Sequence, residues 1–429
     1  MPKRPYISLG MRQGWGGVES PFQLSQAALQ RHLYVVGKTG TGKTTLLKNL
    51  FLELVQSGHG VALIDPHGDL ASSLLDLLPR RDAARVTYFN PSDQAHPIAW
   101  NIVADVPVDE RPTVAAGIVS ALKNVWGDSW GPRLEYILYN GIRALLDADH
   151  TTLLGLSKML TNDTYRAWVV RQIEDPFVQA FWTEEFEGYD QRFRQEAIAP
   201  IQNKIGALVT NPVLRNMLGQ VKRKLDLPFL MNNGGIFIAN LAKGAIGEAP
   251  ANLIGSLLVS EFQRAAMSRA SSPESMRRNF CLIIDEFQNF TTGAFASILS
   301  EARKFRLSLV LSHQFTSQLQ PNIRDAVFGN AGTIIAFQTG FSDAELLAKE
   351  YADSFAPSHF VDRERFHILV KPCAIDGAEQ PFRGRTHPCA ASRTRSKDMI
   401  VRTSRQRYTT VRATVEEKLR RWVERWEQE

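Results

Sequence analysis

Gly37-Lys38-Thr39-Gly40-Thr41-Gly42-Lys43-Thr44 spaces three glycines before a lysine and a hydroxyl, in the pattern G-x-x-x-x-G-K-[ST]. Such glycines let backbone N–H groups turn inward around phosphates, and the helix that follows adds its positive end. The spacing assigns Gly37 through Thr45 to nucleotide binding, with Lys43 reaching the β- and γ-phosphates and the Thr44 hydroxyl on Mg²⁺. A second cluster, Cys281-Leu282-Ile283-Ile284-Asp285-Glu286, is an apolar run closing on two acids. Asp285 suits the Mg²⁺ ion, and Glu286 suits a base that orients and deprotonates water; the doubled acid favours hydrolysis over kinase chemistry. Gln314 follows the apolar run Leu307–Ser312, where an amide either senses the γ-phosphate or merely caps the strand. Arg303, at a helix end, either reaches a neighbouring subunit's γ-phosphate or complements its own helix C-terminus.

These groups need a scaffold that brings distant residues to one edge. Leu33–Val36, Gly60–Asp65 and Val86–Phe89 are short apolar runs separated by helical spacing, a β–α–β–α–β rhythm that predicts a parallel sheet covered by helices. From Val108 to Asn232 the strand signal vanishes and helical patterns run between Gly131-Pro132, Asp175-Pro176 and Asn211-Pro212. This predicts an inserted all-helical domain, in which Trp126, Trp130, Trp168 and Trp182 serve the core or, less readily, stack on bases. Sheet runs then resume at Gly235–Leu241, Cys281–Asp285, Leu307–Ser312 and Thr333–Phe337. Phe366–Lys371 and Pro381–Thr386 flank an Asp376-Gly377 turn and predict a hairpin. The expected division is 1–107 and 233–388 for the two parts of the sheet domain, 108–232 for the insertion and 389–429 for a C-terminal arm and helix. That last helix is expected over Thr414–Glu429, with a capping box of Thr414 and Glu417 and with Trp422 and Trp426 docking on the body or on a neighbouring subunit.

Composition narrows the class. Hydrophobic residues make up 44% and charged residues 22% of the 429, the balance of a globular chain. No apolar run approaches the ~18 residues of a membrane span, and the N-terminus lacks the apolar stretch of a signal peptide. Cys281, Cys373 and Cys389 are too scattered for a disulfide framework or zinc cluster. The net charge of +6 is unevenly placed: Arg383–Arg412 holds nine basic residues against Asp398, a local +8 that leaves the rest at −2. Without periodicity from Ala390 onward, this stretch reads as a flexible basic arm, either for a phosphate backbone or simply solvated. Asp65, His67 and Asp69 in LIDPHGDL stand at a strand end, where they serve the ion or a subunit contact, or form a turn with Asp69 as N-cap.

RHLYVVGKTGTGKTTLL (Arg31–Leu47), LIDPHGDL (Leu63–Leu70), DEFQNF (Asp285–Phe290), ILSEARKFRLSLVLSHQF (Ile298–Phe315) and FGNAGTIIAF (Phe328–Phe337) together resemble the HerA/FtsK superfamily of ring translocases. Within it they resemble most the conjugative type IV coupling proteins and their soluble relatives. DSWGPRLEYIL (Asp128–Leu138) and APIQNKIGALVTNP (Ala199–Pro212) extend the likeness through the insertion, so that it spans about Pro21 to Thr386. The resemblance implies a RecA-like P-loop NTPase domain with an inserted all-helical domain, ATP and Mg²⁺ as cofactors, and a homohexamer that moves DNA. It implies Lys43, Thr44, Asp285, Glu286 and Gln314 as site residues and Arg303 as a trans-acting finger. A cytoplasmic chain at the edge of a membrane complex, with a relaxase, nuclease or transfer apparatus as partner, follows from the same likeness. Three departures stand out: no transmembrane helices, no room before Leu33 for an N-terminal β-barrel, and Gln338 where several relatives have arginine. Two other functions fit the same motor: a secretion or pilus ATPase acting on protein, and a nucleotide-gated DNA-binding scaffold for defence or partition.

Overall fold

Strands that are apolar at every position can be satisfied only when both faces are covered, and such strands form the centre of this protein. The computed structural model describes residues 6–293, 295–375, 380–389 and 394–427. Eleven strands form one sheet: β1 (Tyr6–Gln13), β2 (Glu19–Ser25), β3 (Leu33–Val36), β4 (Gly60–Asp65), β5 (Val86–Phe89), β6 (Ile236–Asn240), β7 (Phe280–Ile284), β8 (Leu307–His313), β9 (Thr333–Ala336), β10 (His367–Lys371) and β11 (Phe382–Thr386). Their order is β2-β1-β11-β10-β9-β3-β8-β7-β4-β6-β5. From β9 to β5 all neighbours are parallel, and β10, β11, β1 and β2 extend the sheet antiparallel. The mostly parallel sheet expected from the sequence is therefore present.

Register decides what this sheet can do. Val36 pairs with His313 and Ala336, while Ile284 pairs with Leu311, so β3, β8 and β7 end almost level. The helix Lys43–Gln56 covers them with Leu46, Leu47, Leu50, Phe51 and Leu54, repeating at helical spacing and sharing one core with Val35, Val61 and Ile283.

The chain divides into two compact units. The sheet unit holds 1–89, 227–242 and 265–401; the helical unit holds 90–226, 243–264 and 402–429. Within the helical unit, the sequence breakers become helix starts. Pro176 and Pro212 occupy first-turn positions, and Asp175 and Asn211 accept N–H groups from the turns that follow. Trp182 is buried with Phe181 and Phe186 around it, whereas Trp126, Trp130 and Trp168 are half-buried. A buried ion network also ties this unit: Glu261 accepts from Arg223 and Arg264, and Arg264 also reaches Glu110 at 2.7 Å. Glu261 lies on the helix Glu248–Met267, which explains why 243–264 leave the sheet unit although 233–388 had been expected to hold together.

Several local expectations change. The N-terminal residues form the β1–β2 pair, which the sequence reading left without strands; a bulge at Ser8/Gly10 bends β1, and a Cβ on Gly10 would lie 2.1 Å from the Arg385 carbonyl oxygen. The expected hairpin exists as β10–β11, while its Asp376-Gly377 turn lies outside the described residues, as do Ala390 to Arg393 of the basic stretch. Beyond them the stretch is not a flexible arm. Thr394 and Ser396 hydroxyls donate to the Leu78 carbonyl, and a helix runs Lys397–Tyr408 with Ile400 and Ser404 buried. The last helix is Arg412–Arg425, opening two residues before Thr414, so no capping box forms and Glu417 pairs with Arg420 and Arg421. Trp422 and Trp426 pack edge-on against Tyr165, so this helix docks on the protein's own helical unit.

Burial disfavours a charged Glu261, but the charges of Arg223 and Arg264 outweigh it and hold the carboxyl below its ordinary value of 4.5. A depressed carboxylate stabilises the fold above the ordinary value and loses that contribution as pH falls through the folded one. Glu261→Gln is expected to cost about 3 kcal/mol at pH 7. In urea denaturation, the gap to wild type should close as pH is lowered below the ordinary carboxylate value.

Candidate active site

The loop between β3 and the helix Lys43–Gln56 is shaped by glycines in backbone states that side chains resist. Gly40 and Gly42 have φ of +81° and +126°. Gly42 also lacks space: a Cβ there would meet Phe366 Cδ1 at 2.9 Å and Phe337 Cε1 at 3.0 Å. Two hydrogen bonds brace the loop from the sheet, Lys38 N–H to the Gln338 carbonyl at 2.7 Å and Phe366 N–H to the Thr41 carbonyl at 2.8 Å. Thr41 Oγ1 donates to the Lys38 carbonyl at 2.8 Å. Among the described residues, no main-chain carbonyl takes the N–H groups of Thr39, Gly40, Thr41 or Gly42. Lys43 is buried, and among the described residues its ammonium donates to the Gly37 and Lys38 carbonyls, at 2.5 and 3.2 Å. Free amides at a helix N-terminus beside a buried ammonium make a cradle that fits a polyphosphate. Lys38, Thr39, Gly40 and Thr44 are exposed around it, and Thr45 is half-buried in the first turn.

The acids enter from the next strands. Asp285 follows β7 and is buried; burial first, then the neighbouring carboxylates of Asp65 and Glu286, raise its pKa to about 7. The nearby Ser312 hydroxyl acts the other way, as does the Lys43 ammonium. Burial likewise lowers the pKa of Lys43 against the opposing pull of Glu286 and Asp285. The pocket is thus short of positive charge, which a divalent cation at Asp285 and Thr44 would supply. Among the described residues no three acidic, histidine or cysteine side chains converge on a metal, and an ion shared with phosphate oxygens and water needs no such cage.

Glu286 has φ +47°, a left-handed state that turns the chain back on itself. Its carboxylate accepts from Gln314 Nε2 at 3.1 Å and Gln288 Nε2 at 2.8 Å. Gln314 therefore stands across the strand ends from the acid pair, as its position after β8 required. Behind it, buried His313 meets the Tyr34 hydroxyl at 2.5 Å, and Asp343 accepts from Thr316 N–H at 3.0 Å and Thr316 Oγ1 at 2.5 Å. Sequence reading missed Gln288 and these supports; the one available signal was that DEFQNF places an amide two residues after Glu286. Arg303 lies in a single turn, Ala302–Phe305, and is exposed, apart from this constellation. Gln338 donates to the Val361 carbonyl at 3.0 Å. Asp65, rather than Asp69, caps the helix Asp69–Leu75: its two oxygens take the His67 and Ala71 N–H groups, both at 2.9 Å, while Gly68 holds the cap position.

Two substitutions check this geometry. Gly42→Ala is expected to lower stability by ~1–3 kcal/mol through backbone strain and to abolish nucleotide binding, read by thermal melts and a fluorescent ATP analogue. Lys43→Ala should cut phosphate release by roughly a hundredfold to a thousandfold, the scale for loss of one stabilising donor.

Residues 13–106 match the family model described as the helicase HerA central domain. Solved structures resemble the chain over most of its length. Bacterial conjugative coupling protein TrwB, in a form lacking its first 70 residues, aligns with a TM-score of 0.65 at 16% identity, covering 92% of this chain and 91% of that one. TrwB with a non-hydrolysable ATP analogue aligns at 0.63 and 17% identity, covering 92% and 97%. VirB4 of Thermoanaerobacter pseudethanolicus aligns at 0.60 and 13% identity, covering 90% and 96%. No curated protein matches this sequence. At such identities the structural likeness speaks for the fold, a RecA-like P-loop architecture. The match to the HerA central domain lies over the phosphate cradle itself, so sequence and fold point to the same nucleotide-binding loop.

Proposed function

We propose that this chain is an ATPase of type IV secretion or conjugation, and that a homohexameric ring of it couples ATP hydrolysis to movement of DNA. The observation that carries the reading is the meeting of Lys43, Asp285, Glu286 and Gln314 at one level of a sheet whose fold matches TrwB over 92% of the chain. TrwB itself is described as a plasmid coupling protein and has been seen with ADP and Mg²⁺.

In this reading Gly37 through Thr45 wrap the phosphates, and Lys43 neutralises the charge that builds between β and γ. Thr44 and, through water, Asp285 would hold Mg²⁺, which would supply further charge neutralisation. Glu286 takes the proton of the attacking water and Gln314 contacts the γ-phosphate. Arg303, exposed on its turn, serves the site of the adjoining subunit. A membrane-bound transfer apparatus, a relaxase or a nuclease is the expected partner. Among the described residues no helix is long and apolar enough to cross a membrane.

Arg383–Arg412 supports DNA as the substrate, in a form different from a loose arm. Some of its charge is already paired, as Arg385 with Glu19, Arg405 with Asp93 and Arg412 with Glu416. Arg395, Lys397 and Arg402 are exposed and remain for phosphates. A protein substrate is the second reading, since the phosphate site itself does not distinguish the cargo.

Phosphate release with and without single- and double-stranded DNA, alongside mass from light scattering, tests the proposal. DNA should stimulate hydrolysis in a hexameric species; indifference to both DNA forms favours the protein substrate, and a DNA-indifferent monomer removes the ring motor. Neutralising Arg395, Lys397 and Arg402 to Gln should weaken DNA binding and flatten its log–log salt dependence by about three units, one per lost phosphate contact. Basal hydrolysis should stay unchanged.

A further inference from the structure

Each oxygen of Glu286, the candidate general base, already accepts one amide hydrogen bond, which fixes how the carboxylate is turned. Gln314 Nε2 donates to Oε1 at 3.1 Å, and Gln288 Nε2 donates to Oε2 at 2.8 Å. The two amides are not equivalent. Gln314 comes from the end of β8, on the side of the phosphate cradle. Gln288 comes from the turn Phe287–Phe290, which the positive φ of Glu286 folds back towards its own carboxylate. That turn is firmly held. Phe287 and Phe290 are fully buried, Asn289 N–H donates to the Glu286 carbonyl at 3.1 Å, and Thr291 Oγ1 donates to the Gln288 carbonyl at 3.1 Å.

The remaining atom is the informative one. A carboxylate only accepts, so the Gln288 amide must present its NH₂ group to Glu286 and its oxygen elsewhere. That oxygen, Oε1, is buried and finds no hydrogen-bond partner among the described residues. A buried carbonyl left without a donor costs ~1–3 kcal/mol, a penalty that a turn this well anchored retains unless a donor arrives during the working cycle.

We propose that Gln288 is a positioning residue for hydrolysis, holding Glu286 through Oε2 and accepting one O–H of the attacking water at its own Oε1. This rests on the ATPase site described above. When the γ-phosphate enters, the Gln314 amide turns from Oε1 to a phosphate oxygen and leaves Oε1 facing the water. Water oxygen then bonds to the γ-phosphorus while the bond to the bridging oxygen breaks, its electron pair passing to the β-phosphate. The water's other proton goes to Glu286 Oε1 and later to solvent, leaving ADP, inorganic phosphate and one released proton.

The test uses Gln288→Leu in the full chain, with ATP for turnover and a fluorescent non-hydrolysable ATP analogue for binding. The expected result is a kcat lower by on the order of tenfold to a hundredfold, the scale for a slightly misplaced base. KM and analogue affinity should stay within about twofold, as for a group that acts only in the transition state. In a Glu286→Gln background the same substitution should cost much less than in the wild type, because most of its effect passes through Glu286. Gln288→Glu, matched in size, should lose the rate as well, which guards against a folding defect in the leucine variant. Wild-type kcat in a folded Gln288→Leu protein overturns the proposal, as does an equal loss in the Glu286→Gln background. A wild-type chain without ATPase activity would instead overturn the site reading beneath it.

Discussion

Three neighbouring parallel strands that end at the same level are the constraint on which this molecule turns. Because β3, β8 and β7 are buried on both faces, their interiors are mostly apolar, and the charged and amide groups of the site stand just beyond the strand ends. Pairing of Val36 with His313 and of Ile284 with Leu311 lines up those ends. The phosphate loop, the amide and the acid pair become neighbours although nearly 280 positions separate Val36 from His313 in the chain. A slip of one residue would send each of these side chains to the opposite face.

The electrostatics follow from the same burial. Asp65, Asp285 and Glu286 converge where water is scarce, against a single buried ammonium. Asp65 is spent on the backbone of the next helix, which leaves Asp285 with the unmet charge. The site is therefore built with a deficit that its ligands complete, as expected where ion and phosphate arrive together.

Most of this was legible in the sequence, for a physical reason. Apolar runs such as Leu33–Val36 and Cys281–Ile284 have one plausible environment, and a glycine-rich turn or a pair of acids directly after them leaves little choice of place. Gln288 was not legible, because its role depends on the left-handed backbone of Glu286, and nothing in the residue type announces that state. Nor were β1 and β2: only alternate residues such as Ile7, Leu9, Phe22 and Leu24 are buried, and an edge strand containing Pro21 resembles a loop. The helix Lys397–Tyr408 escaped notice because its composition is basic and polar. Tertiary contacts from distant parts of the chain, rather than a strong apolar stripe, hold it in place.

The two braces on the phosphate loop have a consequence for how nucleotide affinity is apportioned. Main-chain bonds from Lys38 to Gln338 and from Phe366 to Thr41, with Phe366 and Phe337 filling the space beside Gly42, fix the loop before any ligand arrives. Little ordering entropy is then charged against binding. The same bonds make β9 and β10 the abutments of the loop, since Phe337 and Gln338 follow the one and Phe366 precedes the other. The antiparallel wing from β10 to β2 thus serves as a buttress that keeps the loop in its binding shape.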